Sequence, residues 1–131
     1  MVILVAFLAI QFVPVARENP AERSDLAAPD AVKTILKKSC YDCHSNETVW
    51  PWYSYVAPVS WLVAHDVKEA REHLNFSSWG RYAREERNDY KKRVIEEVEG
   101  GDMPLWYYVW MHPSAKLGEQ DLTDLREWAK P

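Results

Sequence analysis

The chain has 131 residues, of which 47% are hydrophobic and 27% charged, and this composition predicts one globular domain rather than a disordered chain. A net charge of −4 and a pI of about 5.6 argue against nucleic acid as a partner, because nucleic-acid binding needs a concentrated basic face. The four glycines form no phosphate-binding pattern, which argues against a nucleotide fold. The only two cysteines stand three positions apart, so they cannot form a disulfide framework.

The first fifteen residues, MVILVAFLAIQFVPV, carry no charged side chain. They are too few to cross a hydrocarbon core of ~30 Å as a helix, and they lack the basic start of a signal peptide. We expect residues 1–16 to be a retained apolar membrane anchor. A cleaved export signal is the main alternative, and a buried core helix is the third. Residues 17–29 are polar and proline-containing, which predicts a tether to a domain over residues 30–131.

Apolar residues at helical spacing predict four helices, over residues 31–38, 58–74, 83–99 and 119–129. Asp30 is placed to cap the first helix, and Gly100-Gly101 to end the third. The residues expected to face the core are Val32, Ile35, Leu36, Ser39, Val59, Leu62, Val63, Val67, Ala70, Leu74, Tyr90, Val94, Ile95, Val98, Leu122, Leu125, Trp128 and Ala129. No useful segment alternates with period two, so the predicted fold class is all-α.

One motif carries most of the chemical information. Cys40-Tyr41-Asp42-Cys43-His44 is C-x-x-C-H, the pattern at which haem c is attached. Two thiols at this spacing can add to the two vinyl groups of one haem, and the next histidine then lies under the iron as its proximal ligand. A redox dithiol would follow a strand of an α/β fold, and a zinc site would need a second pair of ligands. We therefore expect one haem c, bound covalently through Cys40 and Cys43 and ligated by His44.

A haem buries a large apolar area and can serve as the core of a small domain, which would account for the seven Trp and seven Tyr. Trp50, Trp52 and Tyr53 closely follow the motif and are expected to wall the haem or to hydrogen-bond its propionates, with plain core packing as the alternative. Arg71 is expected on a solvated helix face rather than at a propionate. Asp42, between the two cysteines, is expected to be exposed.

The candidates for the sixth iron ligand are Met103, Met111, His65, His73 and His112. Met103 lies in the segment GGDMP, where glycines permit a close backbone approach and a proline fixes the chain after the ligand. Met111 suits aromatic packing. No spacing distinguishes any of the three histidines. We expect His44 and Met103 to bind the iron, with Met111, a histidine or an open site as alternatives.

Several of these patterns resemble the small haem-binding domain family of bacterial c-type cytochromes. The marks are C-x-x-C-H-S-N-x-T from residue 40, WPWY at 50–53, PVSW at 58–61, LNFS at 74–77, MPL at 103–105, HPSAKL at 112–117, and Gln11-Phe12 followed by Asn19-Pro20. The resemblance covers nearly the whole chain and implies a monohaem, cytochrome-c-like helical domain on an N-terminal anchor. The family often has Gly where this chain has Ala70, and a methyl group there is expected to shift helix packing only.

Two classes of function follow from these residues. The first is an electron carrier rather than an enzyme, anchored in the inner membrane with its haem domain in the periplasm or another extracytoplasmic space. Its partners would be redox proteins or a membrane respiratory complex. The second is a haem sensor or peroxidase-like enzyme with an open or displaceable sixth site, near which His65, His73 or His112 would act.

Overall fold

The structure is a computed structural model that describes residues 1–24 and 26–130. The described residues form seven α-helices and three short 3₁₀-helices, without a β-strand among them, so the all-α prediction is confirmed. The α-helices are α1 (Val2–Ile10), α2 (Asp30–Ser39), α3 (Tyr41–His44), α4 (Val59–His73), α5 (Arg84–Gly100), α6 (Trp106–Met111) and α7 (Glu119–Ala129). The 3₁₀-helices are Trp52–Tyr55, Phe76–Arg81 and Pro113–Ala115.

The four predicted helices correspond to α2, α4, α5 and α7. Asp30 is the first residue of α2 rather than its cap, a position that Pro29 takes. Gly101 follows α5 with φ +82°, a left-handed conformation that glycine adopts without steric cost. The aromatic segment between Pro104 and Pro113, for which no helix was predicted, forms α6.

The hydrophobic core lies between α2, α7 and the 3₁₀-helix Phe76–Arg81. It consists of Leu26, Val32, Ile35, Leu36, Leu74, Phe76, Trp79, Leu125 and Trp128. The Trp79 ring lies 6.0 Å from the Phe76 ring and 5.9 Å from the Trp128 ring. The face of α2 that was predicted to be buried is buried, because its apolar side chains meet this aromatic stack.

The prediction for α4 is correct at its C-terminal half and wrong at its start. Val67 and Leu74 are buried, as expected from their spacing. Val59 and Leu62 are exposed, because the first turns of α4 border an open cavity beside α6 instead of the core.

Residues 17–29 were predicted to be a polar tether. The described residues of this stretch lie against the domain. Arg17 donates to the Ser54 carbonyl at 3.0 Å, and Asn19 donates to the Thr48 carbonyl at 2.9 Å. The Ser24 backbone N–H donates to the Ser77 carbonyl at 2.7 Å. Among the described residues, we find no helix with the length and apolarity needed to cross a membrane.

Candidate functional site

A single helical turn brings the three residues of the C-x-x-C-H motif together. The Cys40 carbonyl accepts from the backbone N–H of Cys43 at 3.2 Å and from that of His44 at 2.8 Å. This turn, α3, packs against α4. Residues three and four apart share one side of a helix, and all three side chains line one cavity of about 480 Å³. That volume falls within the ~300–1,000 Å³ of ligand and cofactor sites.

The contacts of His44 favour the form of its ring that can bind a metal ion. Nδ1 lies 3.0 Å from the Leu74 carbonyl oxygen. Because a carbonyl only accepts, Nδ1 carries the proton, and Nε2 keeps its lone pair. The Phe76 ring meets the imidazole edge-on at 6.4 Å. Burial lowers the pKa of His44, which favours the neutral ring that binds a metal.

The two cysteines are not bonded to each other, and both are partly buried. Burial, with a contribution from Cys43, raises the pKa of the Cys40 thiol to about 12. Burial, with a contribution from Asp42, raises the pKa of the Cys43 thiol to about 12 as well. A redox dithiol has a lowered thiol pKa, so this environment disfavours that alternative. Within residues 1–24 and 26–130, no group of three or more His, Cys, Asp and Glu side chains is arranged to hold a metal ion.

The cavity is walled by α3, α4, α5, α6 and the segment after α5. Besides the motif, its lining includes Ser39, His65, Asp66, Glu69, Ala70, His73, Leu74, Phe76, Tyr90, Arg93, Val94, Glu97, Val98, Met103, Pro104, Leu105, Tyr107 and Tyr108. Met103 therefore lines the same cavity as His44. Its backbone N–H donates to the Glu97 carbonyl at 3.1 Å, which holds this segment to the end of α5.

A second cavity, of about 350 Å³, lies beside the first, and Cys43 borders both. Met111 lines this second cavity, and so do Trp52 and Tyr53. Trp50 lines neither cavity, and its buried Nε1 has no hydrogen-bond partner in the described part of the chain. The predicted contact of Trp50, Trp52 and Tyr53 with haem stays a prediction, and the first cavity is bounded by other residues.

Two tyrosines of α6 were missed as site residues. The Tyr107 hydroxyl donates to Asp66 at 2.7 Å, and the Tyr108 hydroxyl donates to Asp42 at 2.7 Å. Burial and the Asp66 carboxylate raise the pKa of Tyr107 to about 12, and burial with Asp42 raises the pKa of Tyr108, so both hydroxyls are protonated donors at neutral pH. These bonds hold α6 between the two cavities.

The expectation that Asp42 is exposed was wrong. Besides Tyr108, it accepts from the Val49 backbone N–H at 3.0 Å. The carboxylate is half-buried because α6 folds back over the motif. No local pattern could have shown this contact, since Tyr108 stands 66 positions later.

The expectation for Arg71 was also wrong, because its guanidinium is bound to protein rather than solvated. It donates to the Ser45 carbonyl at 2.8 Å and to Thr48 Oγ1 at 2.8 Å, just after the motif. It also donates to the Glu18 carbonyl at 2.8 Å and to Asn19 Oδ1 at 3.0 Å. Arg71 therefore joins the N-terminal segment to the turn that follows His44.

The other histidines lie at the margin of the site. His65 and His73 are exposed and line the first cavity from α4. His112 Nδ1 lies 3.2 Å from the Tyr108 carbonyl and 3.4 Å from the Tyr53 hydroxyl. His112 does not line the first cavity, and its ring contacts Tyr108 and Tyr53 instead.

An all-helical domain with two thiols and a neutral imidazole around one largely apolar cavity has the features of a haem-binding protein. The model of the haem-binding domain family matches residues 5–131. The chain belongs to this family, and haem is its expected cofactor. No curated protein and no solved structure is significantly similar to the chain. The residues fit haem, since the cavity has the size of a cofactor site and the contact of His44 Nδ1 with the Leu74 carbonyl leaves Nε2 as the ring nitrogen that can bind a metal.

Proposed function

We propose that the protein is a monohaem c-type cytochrome that transfers electrons, with a cytochrome-c-like arrangement around its haem. Cys40 and Cys43 attach the haem, and His44 and Met103 bind its iron. The observation that carries this proposal is that these four side chains line one cavity. Their positions in the chain are up to 63 residues apart, yet the fold brings them to the same space.

The chain's own groups have distinct tasks in this proposal. Each thiol would add across one vinyl group of the haem, its sulfur to one carbon and its hydrogen to the other, so thioether formation would need no added oxidant. The Leu74 carbonyl keeps the proton of His44 on Nδ1, so Nε2 would be the ring nitrogen that binds iron. The side chains of Phe76, Tyr90 and Val94 line the cavity and give it an apolar wall.

His44 and Met103 would hold the haem iron, which would supply a one-electron ferric–ferrous couple. The soft sulfur of Met103 favours the ferrous state and raises the reduction potential. Residues 1–16 would attach the protein to a membrane, and the domain would lie on the extracytoplasmic side, where redox proteins exchange electrons with it. This location is supported by the uncharged N-terminal segment and by the attachment motif.

The axial role of Met103 can be tested by substitution. Met103→Ala should convert a low-spin, six-coordinate spectrum to a high-spin one, remove the sulfur-to-iron charge-transfer band of the ferric form, lower the potential and permit rapid binding of carbon monoxide. Met111→Leu is the matched control, because it keeps volume and apolarity in the second cavity. We expect it to leave all four properties nearly unchanged.

Two results would contradict this assignment. If Met111→Leu changes the spectrum and Met103→Ala does not, Met111 is the ligand. If the wild-type protein is already high-spin and binds carbon monoxide at once, the sixth position is open. The sensor or peroxidase function would then replace the electron-transfer proposal, with His65 and His73 at the cavity as the first residues to substitute.

A further inference from the structure

The exposed large hydrophobic side chains are unevenly distributed over the molecule. In the described part of the chain they fall within three segments, residues 1–13, 49–62 and 106–111. The helices α5 and α7 instead present charged and polar side chains to solvent. Monomeric soluble proteins rarely expose large contiguous apolar patches, so an apolar face of this kind indicates a contact surface.

Two of the three segments meet around the second cavity. Its lining includes five exposed apolar side chains, which we call the apolar rim: Trp52, Val59, Leu62, Trp110 and Met111. Trp52 is 73% exposed and Trp110 is 77% exposed, although both are large aromatic residues. The rim is therefore one surface built from the 3₁₀-helix Trp52–Tyr55, the start of α4 and the end of α6.

The remaining segment, residues 1–13, is hydrogen-bonded to the domain beside the apolar rim. The Gln11 side-chain amide donates to the Ala57 carbonyl at 3.2 Å, and the Ala57 N–H donates to Gln11 Oε1 at 2.9 Å. Ala57 lies two residues before Val59 of the rim. The helix α1, which exposes its apolar side chains, therefore leaves the domain next to the rim.

We propose that the apolar rim rests in the interfacial layer of a lipid bilayer, beside α1. The inference builds on the proposed attachment of residues 1–16 to a membrane and adds a second point of contact, on the domain itself. Trp prefers this layer, because its ring is apolar while its N–H can stay in water. The domain would then contact the membrane through the apolar rim, and α5 and α7 would face the aqueous phase.

Arg17, the first residue with a charged side chain, lies at the edge of this apolar surface, as the proposed orientation requires. The Arg17 guanidinium lies 4.4 Å above the Tyr55 ring centroid and donates to the Ser54 carbonyl at 3.0 Å. A cation at the edge of an apolar surface matches the level of the phosphate headgroups. Together with Gln11, these contacts fix α1 to the domain, so that α1 and the apolar rim reach the bilayer together.

Hydrogen exchange of the full haem-loaded chain, with and without phosphatidylcholine vesicles, tests the contact directly. Vesicles should slow exchange in residues 49–62 and 106–111 as well as in residues 1–13. Exchange in α5 and α7 should stay unchanged, which provides an internal control. Slowing confined to residues 1–13 would overturn the proposal. Slowing of the rim by an added redox protein but not by vesicles would overturn it in favour of a protein-docking surface.

Vesicle partition of two double variants adds a second readout. Leu62→Glu with Trp110→Glu should weaken partition about tenfold or more, because two large apolar side chains are lost from the contact. Asn88→Asp with Gln120→Glu adds the same charge to exposed positions of α5 and α7 and should leave partition unchanged. Equal partition of both variants would overturn the proposal. The haem spectrum should be normal in both, and an abnormal wild-type spectrum would instead count against the proposed haem site.

Discussion

Arg71 connects three parts of the chain that are distant in sequence. Its guanidinium binds the Ser45 carbonyl directly after His44, the Thr48 hydroxyl in the next turn, and Glu18 and Asn19 of the N-terminal segment. The Thr48 hydroxyl in turn donates to the Asp42 carbonyl at 2.7 Å. One side chain therefore supports the position of α3, the turn that carries the C-x-x-C-H motif.

We predict that Arg71→Ala lowers the free energy of unfolding by about 1–3 kcal/mol, because the carbonyl of buried Ser45 and the hydroxyl of buried Thr48 lose a charged donor. Arg71→Lys should recover only part of this loss, since an ammonium cannot reproduce the planar set of donors. Urea denaturation followed by circular dichroism measures both effects. Lys92→Ala, at an exposed position of α5, is the control. Equal midpoints for Arg71→Ala and Lys92→Ala would mean that the hydrogen bonds of Arg71 contribute nothing measurable.

At the residue scale, the sequence was informative where the chemistry is local. Cys40, Cys43 and His44 lie within one turn, so their spacing alone predicted that they share a site. The contact of Asp42 with Tyr108 spans 66 positions, and the partners of Arg71 stand 23 to 53 positions away. A polar residue has the same local pattern whether it faces water or such a partner, so both were wrongly placed on the surface.

Among the helices, α7 is held by a carboxylate that serves two purposes. Asp121 Oδ2 accepts from the Gly118 backbone N–H at 2.8 Å, which caps the start of α7. The same oxygen pairs with Lys38 of α2 at 2.7 Å. Burial acts to raise the pKa of Asp121, but the Gly118 N–H and the Lys38 ammonium outweigh it, and the pKa lies below its ordinary value.

We predict that Asp121→Asn costs about 1 kcal/mol of stability at neutral pH. A lowered folded-state pKa stabilises the protein above the unfolded-state pKa of about 3.9, and this contribution is lost as the pH falls through the folded-state value. The difference between wild type and variant should therefore be constant from pH 8 to pH 5 and shrink below about pH 4. Urea midpoints across this range provide the measurement. A difference that persists undiminished in acid would refute the electrostatic explanation. Asp124→Asn is the control, because it removes a carboxylate of α7 that accepts from Gln120 and forms no ion pair in the described part of the chain.

The helices differ in how far the sequence could predict them. Regular spacing of apolar residues predicted α2, α4, α5 and α7. Of these, α2 and α7 bury apolar side chains in the core, α4 buries Val67, and α5 packs partly buried apolar side chains against the core. The six residues of α6 are mostly aromatic and β-branched, which are weak helix formers. Its contacts with Asp42 and Asp66 are tertiary, so α6 carries no strong local signal.

At the scale of the whole molecule, the aromatic residues divide among three environments. Phe76, Trp79 and Trp128 form the core, while Tyr90, Tyr107 and Tyr108 line the candidate haem cavity. A third set, which includes Trp52, Trp106 and Trp110, is exposed. The composition predicted an aromatic interior around a flat cofactor but could not assign each ring, because burial of a ring depends on which helices meet there.

The central claim is that the first cavity holds one haem bound covalently through Cys40 and Cys43. Acid–acetone extraction of the purified wild-type protein tests it most directly, because thioether bonds survive conditions that release a haem held only by axial ligands. We predict that the haem stays with the polypeptide after extraction, and that Cys40→Ala with Cys43→Ala abolishes this retention. Release of the haem of the wild-type protein into the acetone phase would contradict the claim.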